Sequence, residues 1–464
     1  MQRDQNRRFD TRCLLNLSCC YNTANQSRLR DEPYGTSRVT KEDLTLLLLI
    51  MEMGRSRKMA KTADAKLPII KITRVLPFVC AVHLFGVLAW LNLNTSDDQH
   101  TSRLAESFLQ WKLVLLPSVP MSWGDTALFQ GHHYSAFGPF PAILSMPLVW
   151  AGYFHQGALS FVGSLAVFYL CFRLAGNFNY SRNEAGWFAL AFCFATSFIG
   201  VAALACSAFF AHVIAVMLLF LAINEYEGRK RLWLIGGFIG LATATRLPNG
   251  LNILFFMLAV SLGAGTIQER AAELLKLLLP FAVFVGLLAL YNFARFGTPL
   301  ESGYTYQLNG FGMPYASWNV PGNTAGSALS FSYIPEHLWI FLFGPPSISA
   351  VGTSVLLVSP FLFYLFSVRW DLINKLIALN SALVLLTVLA FRSTGFEQVG
   401  YRFSLDFLPL VFWLLMRSRL QMNNRFKALI CLALVVDVCL TAFYLSTGVN
   451  RRQGDSSSYE ALME

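Results

Sequence analysis

The chain has 464 residues, 55% of them hydrophobic and only 13% charged, with a formal net charge of +10. Soluble domains carry about a quarter charged residues. Repeated apolar stretches close to the roughly 17–25 residues that cross a bilayer make this an all-α polytopic membrane protein. A closed barrel would need alternating strands, which such runs exclude. The basic excess belongs to cytoplasmic loops and not to nucleic-acid binding, since no basic patch interleaves with aromatics on a soluble domain.

Residues 1–66 read as a polar, basic N-terminal extension without a signal-peptide core, and "LTLLLLIM" at 44–51 is too short to span. Met51, Met53 and Met59 are each plausible alternative starts. Residues 67–446 form the expected transmembrane domain, and 447–464 a polar C-terminal tail. Spans are expected at about 74–93, 157–175, 186–205, 208–224, 231–245, 248–264, 273–293, 350–368, 374–391, 404–417 and 427–446, about eleven in all. The connections "RLAGNFNYSRNEA", "NEYEGRKR", "TIQERAAELLK", "VRWDLINK" and "RSRLQMNNRFK" hold most loop Lys and Arg and are assigned to the cytoplasm. That scheme requires "GPFPAILSMPLVWAGYFH" (138–155), with its three prolines, to lie on the outer surface as an interfacial helix. The stretch 333–347 is given the same reading. Two long segments, 94–156 and 294–349, then face outward and carry whatever chemistry the chain performs. The nine cysteines form no CxxC pair and indicate neither a disulfide framework nor a zinc site.

The first outer segment opens with "SDDQHTSRLAESFLQWKLVL". Leu104, Phe108, Trp111 and Leu115 recur at helical spacing and predict an amphipathic surface helix. Ser96-Asp97-Asp98-Gln99 fits a capping box for it. The same carboxylates, Asp97 and Asp98, could serve as a general base at the membrane boundary. In "GHHYSAFGPFPAILSMPL", His132 and His133 are adjacent and lack a third ligand at metal spacing, so they read as turn residues, with Tyr134 a candidate for a sugar or lipid-phosphate pocket. Arg246 in "ATATRLPNG" and Arg402 in "VGYRFSLDFLPL" sit at outward span ends, where an arginine either snorkels or holds a phosphate. Asp406 lies one helical turn beyond Arg402 and is a candidate partner for it. His212 begins a span on the outer side, and "YNFARFGTPLESGYTYQLNGFG" carries the Gly, Tyr and Asn that suit carbohydrate and any outer loop alike.

In order and spacing, the acidic loop, "LFQGHHYSAFGPFPAILSMPL", "FFAHVIAVMLLFLA", "GLATATRLPNGL", "YNFARFGTPLESGY" and "GYRFSLDFLPLV" resemble bacterial GT-C superfamily membrane glycosyltransferases, in the group related to protein O-mannosyltransferases. The resemblance covers roughly residues 74–420. It implies a GT-C-like helical bundle in the bacterial inner membrane with its site facing outward. It also implies a polyprenyl-phosphate-linked sugar as donor, a glycan, lipid or protein hydroxyl as acceptor, and inverting transfer. Carried onto this chain, the base is Asp97 or Asp98, Arg246 and Arg402 hold the carrier phosphate, and His212 and Tyr134 stand on the sugar side. No cofactor is implied, and a divalent metal has no supporting ligand set. Relatives often place Pro-Pro or Lys-Pro before the interfacial helix, where this chain has Phe137-Gly138-Pro139-Phe140-Pro141 and no lysine. A secondary transporter or lipid flippase is the rival expectation; it calls for inverted repeats and ionisable groups near the bilayer midplane. No repeat is visible, and the acids gather in the outer loops. A noncatalytic assembly partner is the third reading. Neither a P-loop nor a GxGxxG after a strand occurs.

Overall fold

The structure, a computed structural model, describes residues 66–94, 99–115, 125–308, 327–345, 352–395 and 398–463. Its contacts group into two units, Met1–Ile69 and Ile70–Glu464, and the elements below belong to the second apart from the first residues of α1. In chain order they are α1 (Lys66–Asn94), α2 (His100–Leu109), the hairpin β1 (Thr126–Phe129) and β2 (His132–Ser135), α3 (Phe140–Trp150), α4 (Gly157–Asn177), α5 (Arg182–Phe194), α6 (Phe198–Ala203), α7 (Ser207–Glu227) and α8 (Leu232–Thr243). A 3-10 segment, Leu247–Asn252, leads into α9 (Ile253–Ser261), followed by α10 (Ile267–Phe296) and α11 (Ile334–Phe343). The short α12 (Val355–Val358), α13 (Leu372–Leu389), α14 (Leu408–Arg417) and α15 (Asn424–Met463) complete the set.

The chain is helical, and among the described residues six helices are long and apolar enough to cross a membrane. They are Val75–Asn94 of α1, α4, Ala208–Glu227 of α7, α10, α13 and Asn424–Ser446 of α15. The other expected spans are shorter or broken, and each break has a local cause. After α5, Thr196 Oγ1 donates to the Phe192 carbonyl at 2.7 Å and accepts from the Phe198 amide at 3.1 Å, which stops one helix and starts the next. Between α8 and α9 the backbone turns extended at Arg246 (φ −148°) before Pro248. Pro360 opens a 3-10 stretch, Pro360–Ser367, in place of a continuing helix after α12. The segment expected as a polar tail continues α15 as helix to Met463.

The helix starts in the Lys- and Arg-rich connections are capped. Ser181 with Glu184 and Thr266 with Glu269 close capping boxes on α5 and α10, and Asp371 Oδ1 accepts from the Asn374 amide on α13. The core lies around α5 and α7, where Phe192 meets Phe198, Phe220 and Phe412 at 4.7–5.5 Å between ring centroids. By contrast α10 packs on α8 and exposes Leu275, Leu279, Val283, Leu287, Leu290 and Phe293, a face suited to lipid.

The surface helix of the first outer segment departs from expectation. It starts at His100, with Gln99 at the N-cap making no side-chain cap; Gln99 Oε1 instead accepts from the Gln156 amide at 3.1 Å. Ser96, the expected cap, lies outside the described residues, and Gln99 occupies the N-cap position. The helix also ends at Leu109: Trp111 takes a left-handed φ of 57° and is 96% exposed, so the apolar stripe is Leu104, Ala105 and Phe108 packed against Ala142 of α3.

Candidate functional site

Between the two outer segments lies a cavity of about 550 Å³. Its floor is made by span ends. Arg246, Leu247 and Leu251 come from the α8–α9 junction, Val388 and Phe391 from the end of α13, and Arg402 with Phe403 from the 3-10 segment Arg402–Asp406. Its walls come from the outer segments: His100 and Asp125 from the first, Glu301, Ser302, Tyr304, Thr305 and Gln307 from the second.

Short backbone links bring these segments together. The Leu308 amide donates to the Thr126 carbonyl at 2.8 Å and the Asp125 amide to the Leu308 carbonyl at 3.1 Å, so the second outer segment runs alongside β1. On the far side, the Ser330 amide donates to the Ala390 carbonyl (2.8 Å) and the Arg392 amide to the Ala328 carbonyl (3.0 Å). Arg392 Nη2 also donates to the Tyr304 carbonyl at 2.6 Å. The Phe137-Gly138-Pro139 turn sits so close to the end of α8 that a Cβ on Gly138 would overlap the Ala244 carbonyl. Glycine is required there by this backbone approach, which reaches the Ala244 and Thr245 carbonyls just before Arg246.

Arg246 does not snorkel. Its Nε and Nη2 donate to the two carboxylate oxygens of Asp406, both at 2.8 Å, leaving Nη1 as the group not spent on that pair. The side chains are 11% and 1% exposed. Asp406 is further held by Asn249 Nδ2 at 2.9 Å, and its backbone carbonyl accepts from Asn252 Nδ2 at 3.3 Å. Both oxygens of this buried carboxylate are thus taken up by partners, as a buried ion pair requires. The expected Arg402–Asp406 pair is thus replaced: the stretch is 3-10, which changes which side chains share a face, and Arg246 takes the acid. Arg402 lies over the rings of Phe209 and Phe403, 4.9 and 5.4 Å from their centroids.

The remaining expected residues divide. His212 is buried on α7 and stacked on Phe403 at 6.0 Å; it does not line the cavity, and among the described residues neither ring nitrogen has a hydrogen-bond partner. Tyr134 likewise stays out of the cavity. It packs on Phe296 at 5.4 Å in the small core beneath the hairpin, opposite Ala127. Asp97 and Asp98 lie outside the described residues. His133 Nδ1 and Thr126 Oγ1 are hydrogen bonded at 2.9 Å, and no group of His, Cys, Asp or Glu among the described residues could hold a metal ion. Burial holds the His133 imidazole below its ordinary range, and pushes the Tyr304 phenol above its own, so Tyr304 stays a hydroxyl donor.

Sequence reasoning passed over two cavity carboxylates. Asp125 has a left-handed φ of 61°, and its Oδ1 accepts from Gln307 Nε2 at 3.1 Å. Glu301 Oε1 accepts from the amides of Gly303 and Thr305 at 2.6 and 3.4 Å. The signal for Asp125 was present in "DTALFQGHHYS", two short runs around a Gln-Gly turn whose φ values, 50° and 77°, suit a tight hairpin. Asp437 was also passed over: it is fully buried in α15, does not line the cavity, and neither oxygen has a hydrogen-bond partner among the described residues. No family model matches the chain, and neither curated proteins nor solved structures provide a match.

Proposed function

We propose that the protein transfers a sugar from a polyprenyl-phosphate donor to an acceptor hydroxyl at the outer face of the bacterial inner membrane, within a GT-C-like bundle of about eleven spans. The observation that carries the reading is the cavity itself: arginines and apolar span ends on one side, carboxylates and hydroxyls on the other. The short and broken helices α5–α6, α8, the 3-10 segment with α9, and α14 are the pieces that bring six long helices toward eleven crossings.

In this reading the carrier phosphate lies toward Arg246 and Arg402 and its isoprenoid tail along Leu247, Leu251 and Val388. The acceptor oxygen attacks the anomeric carbon from the face opposite the phosphate, and the carbon–oxygen bond to phosphate breaks with its electron pair leaving on the phosphate. A carboxylate of the first outer segment takes the acceptor proton. Negative charge grows on the leaving phosphate, which Nη1 of Arg246 and the guanidinium of Arg402 stabilise. Asp97 and Asp98 remain candidates for the base, and Asp125, which lines the cavity, joins them. His212 supports Phe403 from behind and Tyr134 braces the hairpin, both indirect parts of the sugar side.

The test is transfer of labelled hexose from polyprenyl phosphate by purified protein, with Asp97→Asn, Asp98→Asn and Asp125→Asn. One of the three is expected to lose at least about a hundredfold in kcat, the usual scale of a general base. Full activity in the triple variant overturns the base assignment. A second reading, secondary transport, draws on Asp437, because an ionisable side chain buried in a membrane helix is characteristic of ion pathways. Proton-linked solute flux that disappears in Asp437→Asn, with no sugar transfer by the wild type, would establish it instead.

A further inference from the structure

The stretch "YNFARFGTPLESGYTYQ" (291–307) is built with more care than an outer loop needs. It begins where α10 stops, with Gly297 in the left-handed region at φ 73°. Two residues earlier, Arg295 lies on the ring of Tyr291 (3.9 Å) and beside that of Phe296 (4.5 Å). Its Nη1 donates to the Ser135 carbonyl at 2.6 Å, and its Nη2 to Asn292 Oδ1 at 2.8 Å and the Ser302 carbonyl at 3.4 Å. Asn292 Nδ2 in turn donates to the Pro299 carbonyl at 3.2 Å. The residues on both sides of Glu301 are therefore tied to the helix end below and to the hairpin beside it.

Within that frame the Glu301 carboxylate is held by its own turn. The Gly303 and Thr305 amides both donate to Oε1. Gly303 makes this possible with φ 101°, and a Cβ there would press on Phe296 and Ala127 at 3.1 and 3.2 Å. Orientation of the acid is thus fixed before any ligand arrives, which removes a cost of binding. The turn lines the cavity with Glu301, the hydroxyls of Ser302, Tyr304 and Thr305, and the amide of Gln307. A carboxylate among hydroxyls and an amide repels phosphate and accepts from neutral hydroxyl groups. The arginines that would hold phosphate come from other elements, the α8–α9 junction and the 3-10 segment before α14.

We propose that Glu301 is the residue by which this cavity recognises the hydroxyls of the sugar on the lipid carrier, and so sets which sugar is accepted. The proposal rests on the reading above and deepens it. A fixed anion bonded to a sugar hydroxyl gives a charge-assisted bond, and an epimer that directs that hydroxyl elsewhere leaves the acid unpaired. Discrimination of about tenfold or more follows from losing one such bond.

Binding measured by tryptophan fluorescence in detergent tests this without requiring turnover. The probes are a short-chain polyprenyl phosphate bearing mannose, glucose or galactose, and the same polyprenyl phosphate without sugar. Wild type is expected to bind at least one sugar-bearing lipid about tenfold more tightly than the bare lipid. Glu301→Gln keeps an oxygen for the Gly303 and Thr305 amides, and is expected to bind all four alike with bare-lipid affinity unchanged within about twofold. If that variant does not fold, Glu301→Asp, which keeps the charge and shortens the reach, is expected to change the order of preference among the three sugars. An unchanged preference in the folded variant overturns the proposal, as does an equal loss for sugar-bearing and bare lipids. A wild type that binds the bare lipid and prefers no sugar overturns it while leaving the phosphate site standing. A wild type that binds none of the lipids overturns the functional reading and this proposal together.

Discussion

Arg246 and Asp406 stand 160 positions apart in sequence and share a two-pronged ion pair at 2.8 Å. The type and depth of the arginine were legible from "ATATRLPNG", because a cation at a span end must find a partner or water. Its partner was not legible. The i, i+4 rule pointed Asp406 at Arg402, and that rule assumes an α-helix where the chain makes a 3-10 turn. Removing one side of a buried pair strands the other, so Arg246→Ala and Asp406→Ala should each lower stability by about 3–5 kcal/mol. The double variant should lose clearly less than the sum, because the second substitution removes the stranded charge. Denaturant or thermal unfolding of the four proteins in detergent checks this; strict additivity would show that the two side chains do not act as a pair.

The hairpin and the turn after it carry the outer wall of the cavity at the next scale. Helices were readable from apolar run length, whereas β1 and β2 were hidden because four-residue strands leave little alternation to detect. The helix break after α5 was hidden for a related reason: Thr196 interrupts an apolar run through hydrogen bonds that hydropathy does not register, whereas the turn at Arg246 falls where the sequence already ends one span and begins the next. His133 is kept below its ordinary imidazole pKa by burial, with its Nδ1 at Thr126. The folded state therefore binds this proton less readily than the unfolded chain. Stability contributed by neutral His133 is present above pH about 6.5 and is lost as pH falls from there through the lower folded value. A His133→Gln variant should show a shallower fall in melting temperature between pH 7 and 5 than wild type; equal slopes would contradict the linkage. Gly138→Ala tests the approach of this region to α8. The added methyl meets backbone at Ala244, so a loss of about 1–3 kcal/mol is expected from overpacking. No change in melting temperature would show that the turn can move away from Arg246.

For the whole molecule, composition and run length were enough to give a multi-pass helical membrane protein, and charge placement predicts an orientation in which both long segments face outward. What composition could not give was convergence. Asp125, Glu301, Arg246 and Arg402 come from four separate stretches, and only the chain's path through α8, α10, α13 and the hairpin puts them on one cavity. Orientation is open to direct test: cysteines placed at Leu300 and Trp111, both more than 90% exposed, should react with a membrane-impermeant maleimide added outside intact cells. Labelling only after permeabilisation would invert the topology and move the cavity to the cytoplasm. The central claim is tested most directly by supplying purified protein with polyprenyl-phosphate hexose labelled in both sugar and lipid. The account predicts that sugar leaves the lipid in equal amount to the free polyprenyl phosphate formed, appears in glycosidic linkage of inverted configuration on an acceptor hydroxyl, and stays on the lipid when Arg402 is replaced by alanine. Movement of the intact labelled lipid or of a free solute across the membrane, with every carbon–oxygen bond to phosphate preserved, would contradict it.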